Sequence, residues 1–280
     1  MITDRRAATT IGRHARLELT FSLRGGRTVL SHAYAEPPFR LGRVFDVDGA
    51  AYLIIVCAAP GVFAGDRLRQ TVRVERGARV LLASQSALQV HPSDADAPAE
   101  IEHVYHVEGD AELHCCWDPV IPFSGARLAQ RFDLRLAADA RAYWSDALMA
   151  GRCSRGEAWQ FQELRHELRV SVGGALKYLE RYRLAPGDAD PRRQWVVGEA
   201  AYTGTTVVRH DRATVPFAEG LHEALVHDGG TRSAVDVVEP GLIVGRTLAQ
   251  DGPAFARARA TIRDRALADV YDSPLLIVRR

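Results

Sequence analysis

Short runs in which apolar and polar residues alternate one for one, each closed by glycine, proline or aspartate, dominate this chain. Arg16-Leu17-Glu18-Leu19-Thr20-Phe21 alternates, Gly25-Gly26 turns, and Arg27-Thr28-Val29-Leu30 resumes. Leu68 to Glu75 alternates, Arg76-Gly77-Ala78 turns, and Val80-Leu81-Leu82 follows. Val104 to Glu108 leads through Gly109-Asp110 into Ala111 to His114, and Phe132 to Leu136 leads into Ala137-Ala138-Asp139-Ala140. Period two sends successive side chains to opposite sides of the backbone, so each run is a strand with one dry face. Many such runs at this spacing predict a mainly β protein. The strand–turn–strand unit recurs around residues 76–78, 108–111 and 137–140, which points to helically coiled, stacked strands of irregular period.

Helical pattern is confined to two short segments. Gly252 to Ala268 carries Pro253 in its first turn, with Phe255, Ile262 and Leu267 for a buried face; Thr214 to His227 is the weaker of the two. Pro186 to Pro191 and Pro92 to Pro98 are loops too short to separate domains. The chain therefore reads as one domain over residues 1–280, with 1–11 as a disordered N-terminal extension.

A chain of 280 residues with a net charge of +1 has ample material for a core and no global field to attract nucleic acid or an anionic membrane. Four cysteines are too few for a disulfide framework, residues 1–16 lack the apolar stretch of a secretion signal, and the longest apolar run, Ala50 to Pro60, is about half a membrane span. A cytoplasmic location is the expectation. Lys177 is the only lysine among 36 basic residues. Arginine suits bidentate pairing with carboxylates at protein interfaces, although a GC-rich coding sequence gives the same bias.

Signatures of catalysis are missing: no Gly-x-Ser-x-Gly elbow, no phosphate loop, no dinucleotide glycine fingerprint. Pro60 to Asp66 reads as a tight turn. His103, His106, His114, Cys115 and Cys116 lie close in sequence, but on a strand His103 and His106 face opposite ways, and Cys115 turns away from His114 and Cys116. No second ligand pair completes a tetrahedral site, which leaves His91, His114 and Cys116 as weak metal candidates and His222 with His227 as a weaker pair. Asp66, Asp118 and Asp146 share a setting, each beside glycine, proline or an aromatic at the end of an apolar strand. Sequence distance does not say whether they meet.

Several motifs in order resemble the UreD (UreH) family of urease accessory proteins, from about Gly12 to the C-terminus. Ala15 to Leu19 with Arg24 to Leu30 is similar to the family's opening hairpin, and Pro60-Gly61-Val62-Phe63-Ala64-Gly65-Asp66 to its glycine-rich turn ending in aspartate. Ala83 to His91 occupies the place of a threonine-rich stretch, with Gln89 and His91 where lysine and tyrosine are usual. Asp118 to Arg127 resembles the segment ending Gly-Ala-Arg, and Trp144 to Arg152 the segment ending Gly-Arg, with Asp146 in place of the usual glutamate. The resemblance implies a single UreD-like domain of helically wound β structure. It also implies a non-catalytic role with UreF, the GTPase UreG and the apo-urease subunits as partners. Nickel would be a transient cargo moving through an internal channel, and no cofactor would be tightly bound. Such a channel needs oxygen and imidazole donors that hold a divalent ion loosely enough to release it. Asp66, Ser84, Gln85, Ser86, Asp118 and Asp146 are the residues expected to line it. Two other readings compete: a carbohydrate-active hydrolase or lyase on a coiled β scaffold, and a β-rich interaction protein with no metal role.

Overall fold

The computed structural model describes residues 13–92, 97–194, 196–226 and 230–271. The extension expected over residues 1–11 and the candidate ligand His227 lie outside these. In chain order the elements are β1 (His14–Arg24), β2 (Arg27–Ala35), β3 (Phe39–Leu41), β4 (Phe45–Val47), β5 (Ala50–Cys57), β6 (Arg67–Val74), β7 (Arg79–Ser84), β8 (Leu88–Val90), β9 (Ala99–Val107), β10 (Glu112–Cys116) and β11 (Val120–Pro122). There follow β12 (Arg127–Leu136), β13 (Arg141–Ser145), β14 (Leu148–Met149), β15 (Glu163–Val172), β16 (Ala175–Leu184), β17 (Tyr202–Arg209), α1 (Val215–Val226), β18 (Thr231–Glu239), β19 (Leu242–Ala249) and α2 (Gly252–Asp269).

The middle of the chain winds as three coils of three strands each. β6, β7 and β8 make the first, β9, β10 and β11 the second, and β12, β13 and β14 the third. Corresponding strands pair in parallel, β6 with β9 and β9 with β12, β7 with β10 and β10 with β13, β8 with β11 and β11 with β14. The helically coiled, mainly β fold expected from the recurring units is thus the observed one, and those units are the corners. Ala78, Ala111 and Ala140 sit buried at equivalent turns. Glu112 N–H donates to Ala78 O at 2.9 Å and Arg141 N–H to Ala111 O at 2.9 Å, so the ladder runs unbroken through the corner. Gly77 and Asp110 take positive φ there (73° and 57°), a conformation open to glycine and tolerated by aspartate.

Two sheets face each other. The first has the order β16-β15-β12-β9-β6-β1-β2, and its alternating strands expose one face to solvent. In β6, Leu68, Val72 and Val74 turn inward while Arg67, Arg69 and Arg73 turn out. The second sheet contains β7, β10, β13 and β17, and both its faces are covered. Leu113 and Cys115 of β10 join the core between the sheets, whereas Cys116 joins a second core under α1 and α2. Burial on both faces explains why Val80-Leu81-Leu82 is continuously apolar. Both helices form where the sequence placed them. Asp251 caps α2 by accepting from Ala254 N–H at 2.7 Å. Its buried face is Ala254, Phe255, Ala258, Ile262 and Ala266, with Leu267 only half-buried at the margin.

A column of rings runs down another corner. Phe63 stacks on His91 with centroids 4.4 Å apart, His91 meets Phe123 edge-on at 5.1 Å, and the Arg152 guanidinium lies 4.0 Å over Phe123. Arg152 Nε in turn donates to Glu157 at 2.7 Å. Gly151 makes this possible: its φ is +133°, and a Cβ would stand 2.5 Å from Glu157 O and 3.1 Å from Pro122 O. Gly151→Ala is expected to lose about 3 kcal/mol of stability in urea unfolding. Gly174→Ala, at a φ of +83° with open space around it, should lose only about 1 kcal/mol.

Candidate functional site

A cavity of about 220 Å³ lies between the two sheets, at the corner where the second strand of each coil turns into the third. Three successive corners supply one wall. Ser84, Gln85 and Ser86 follow β7, Asp118 follows β10, and Asp146 follows β13, all lining the cavity. The in-register pairs Ala83↔Cys116 and Cys116↔Ser145 put these segments side by side. Ser84 Oγ donates to Asp118 Oδ2 at 2.9 Å and accepts from Asp118 N–H at 2.8 Å. Five of the six residues expected to line a channel are thereby gathered. Asp66 is not among the lining residues: its carboxylate accepts from Arg13 N–H at 2.8 Å and Phe63 N–H at 2.9 Å, which closes the turn after Pro60.

The opposite wall comes from inward positions of the first sheet. Gln70, His103 and Phe132 are register partners on β6, β9 and β12, and Gln130 stands two residues from Phe132. His103 packs edge-on against Trp117 at 5.3 Å, while His106 points outward between Arg73 and Arg135. Period two along β9 sends these two histidines to opposite faces, as expected, whereas no motif marked His103, Gln70 or Gln130 as site residues. The signal was present: each polar side chain occupies the inward phase of an alternating strand. Gln70 Nε2 and Trp117 Nε1 are buried without a hydrogen-bond partner among the described residues, an arrangement that costs about 1–3 kcal/mol per group in a dry interior.

From the cavity a chain of polar contacts leads toward the surface. Thr205 N–H donates to Asp146 Oδ1 at 2.8 Å, and Thr205 Oγ1 donates to Glu180 Oε1 at 3.2 Å. Gln130 Nε2 lies 2.8 Å from His166 Nδ1, and His166 Nε2 lies 3.7 Å from Glu180 Oε1. Both branches end at Glu180, which accepts from Tyr178 OH at 2.7 Å and pairs with Arg246 at 3.1 Å. The Glu180 side chain is 11% exposed and that of Arg246 53%, so this pair marks the outer end. Burial pushes Asp146 up to about 7, with the nearby Glu180 charge raising it further and the Thr205 N–H opposing. Burial also holds His103 down to about 3 and His166 to about 4, so both imidazoles are neutral donors at physiological pH.

The weak metal candidates fall elsewhere, with His91 apart from the other two. His91 belongs to the ring column, with Nε2 3.0 Å from Pro60 O. His114 sits in the second core 2.9 Å from Glu112 and packed on Tyr271, and Cys116 lies in that same core. His222 is exposed on α1. Among the described residues no three or more His, Cys, Asp or Glu side chains gather as a closed metal site. None of the described helices is long and apolar enough to cross a membrane.

Fold and cavity define a coiled, two-sheet β protein with a polar interior reached along a buried hydrogen-bonded path. The family model for the UreD urease accessory protein matches residues 13–277. A urease accessory protein UreD 2 of Streptomyces griseus is 33% identical over 75% of this chain and 74% of its own length. The UreD of Deinococcus radiodurans is 30% identical over 96% and 95%, and that of Haloarcula marismortui 29% over 94% and 89%. The chain belongs to the UreD family of urease accessory proteins.

Asp146 gives this site a pH-dependent cost. Its folded pKa lies above the unfolded value near 3.8, so the folded state binds the extra proton. Stability falls as pH rises from about 4 through about 7 and then levels off. Asp146→Asn, which keeps the oxygen that accepts from Thr205, is expected to melt higher than the parent at pH 8. That gain should vanish near pH 4 in parallel thermal scans.

Proposed function

We propose that this chain is a scaffold and metallochaperone that acts with UreF and UreG in the cytoplasm to deliver nickel to apo-urease, with the ion as cargo rather than resident cofactor. The observation that carries the reading is the polar path from Ser84, Asp118 and Asp146 through Thr205 to Glu180, running inside an otherwise apolar core. Its donors suit a passing divalent ion. Hydroxyls, amides and neutral imidazoles solvate a cation without trapping it, and single carboxylates spaced along the route provide charge. Asp146 adds an exchange step, because a carboxyl that titrates near neutrality gives up its proton as the cation arrives and regains it on release. Family membership supports the accessory role, and the partners follow from the same resemblance.

The test is urease activation in cells carrying the urease operon, with UreF co-purification and the nickel content of the isolated urease read in parallel. Deleting this gene should leave urease made but nickel-poor. Asp146→Ala combined with Glu180→Ala should lower urease nickel content by roughly 10- to 100-fold while UreF still co-purifies. Asp66→Ala should instead lower the amount of folded protein, since it frees two backbone N–H groups. Full activation with both Asp146 and Glu180 replaced would remove the proposed route, and full activation without the gene would remove the proposed role.

A further inference from the structure

The outer end of the polar path is covered by a side chain that is itself a cation. Arg246 of β19 stands between Thr205 of β17 and Ala234 of β18, its partners in register. Its guanidinium reaches across to β16, where Nη2 donates to Tyr178 OH at 2.6 Å and Nε lies 3.1 Å from Glu180 Oε2. The two oxygens of the Glu180 carboxylate therefore divide. Oε1 looks inward, toward Thr205 Oγ1 at 3.2 Å and His166 Nε2 at 3.7 Å. Oε2 looks outward, toward Tyr178 OH at 2.7 Å and the guanidinium. A cation that passes Glu180 must take the place that Arg246 holds.

Two observations set this contact apart from a strut between strands. First, β16 and β18 are joined without it, because Lys177 Nζ lies 2.7 Å from the Glu239 carboxylate. Second, Arg246 has another carboxylate close by. Asp236 stands two residues beyond Ala234, on the same exposed phase of β18, and its charge reaches the guanidinium. Such diagonal neighbours in an antiparallel pair lie about 7–8 Å apart, a gap that a long side chain spans. The Arg246 side chain is 53% exposed and that of Glu180 11%. Arg246 thus has solvent around it in which to turn, while Glu180 is fixed.

From this geometry we infer that Arg246 is a tethered competitor that sets how tightly the outer end holds a divalent cation, turning from Glu180 to Asp236 when an ion arrives. The inference rests on the proposed route through Glu180. Tethering keeps the guanidinium at a local concentration on the order of millimolar or above, whatever the salt outside. Its charge-assisted bond to Glu180 then opposes every ion that binds there. A divalent ion brings twice the charge and takes the carboxylate, and the returning arginine shortens its stay. Arg246 is in these terms an affinity-setting residue rather than a ligand.

The probe is the nickel ion alone, titrated into the full chain and followed by calorimetry. Arg246→Gln, which keeps a donor for Tyr178 but carries no charge, should bind nickel roughly tenfold more tightly. Arg246→Lys, which restores the charge, should return the affinity to near that of the parent. Glu180→Gln added to Arg246→Gln should abolish the gain. Asp236→Asn removes the outer resting place and should bind nickel more weakly than the parent; it leaves the Glu180 contacts intact and serves if Arg246→Gln melts early by circular dichroism. Equal affinity of the parent and Arg246→Gln, with Glu180→Gln still weakening binding, overturns the competitor and leaves the route standing. A gain that survives Glu180→Gln also overturns it. If Glu180→Gln changes nothing in either background, the route through Glu180 falls and the role of Arg246 falls with it.

Discussion

The parallel register between equivalent strands of successive coils is the constraint on which the rest of this molecule depends. Each backbone hydrogen bond between β6 and β9, or between β10 and β13, fixes a coil relative to its neighbour. Ladder bonds through the corners at Ala78, Ala111 and Ala140 keep the stack from slipping. A shift of one residue would send every inward side chain outward. Because the register holds, residues far apart in sequence but equivalent in their coils lie side by side. Ser84 reaches Asp118 in this way, and Asp146 lies on the next level.

That same register turns isolated polar residues into a connected interior. An inward glutamine or histidine in one strand is a defect in an apolar core. When Gln70 and His103 fall in one register row, and Gln130 contacts His166, the defects line a wall. The core accepts the cost of burying them, including an Asp146 carboxyl held near neutrality by burial. Elsewhere it is densely apolar, with Leu17, Leu53, Leu82, Leu113 and Trp144 almost wholly buried. Arg259 reaches in from α2, donating to Ser145 Oγ at 3.2 Å and Trp117 O at 3.0 Å, and so fixes the cavity's floor from the helical side.

Much of the architecture was legible because one-sided burial leaves a period. The strands of the first sheet alternate, so β1, β2, β6 and β12 could be read from residues 16–30, 68–75 and 132–136. The second sheet was harder. Its strands are covered by the first sheet on one face and by α1 and α2 on the other, so β7 shows an apolar run without a period. Unequal loops between coils hid the repeat length. Of the site, the corner residues could be named from motifs, but Asp66 was grouped with Asp118 and Asp146 because all three lie beside glycine, proline or an aromatic at the end of an apolar strand. Only coordinates show that its oxygens are taken by Arg13 and Phe63 N–H groups. His166, Glu180 and Thr205 carried no motif, and their place on the path was not foreseen.

By itself, then, the sequence determined a β chain of stacked coils, its two helices, its corners and the family to which its motifs belong. These are local properties, set by side-chain period, turn chemistry and short residue patterns. Tertiary structure decided which polar groups share a cavity, which carboxylate is spent on a turn, and how Asp146 connects to Glu180. It also decided that arginines of four strands, β6, β12, β15 and β16, share one outward face. Each of those facts depends on the alignment of strands tens of residues apart, and the unequal loops joining them leave that alignment to hydrogen-bond register and packing.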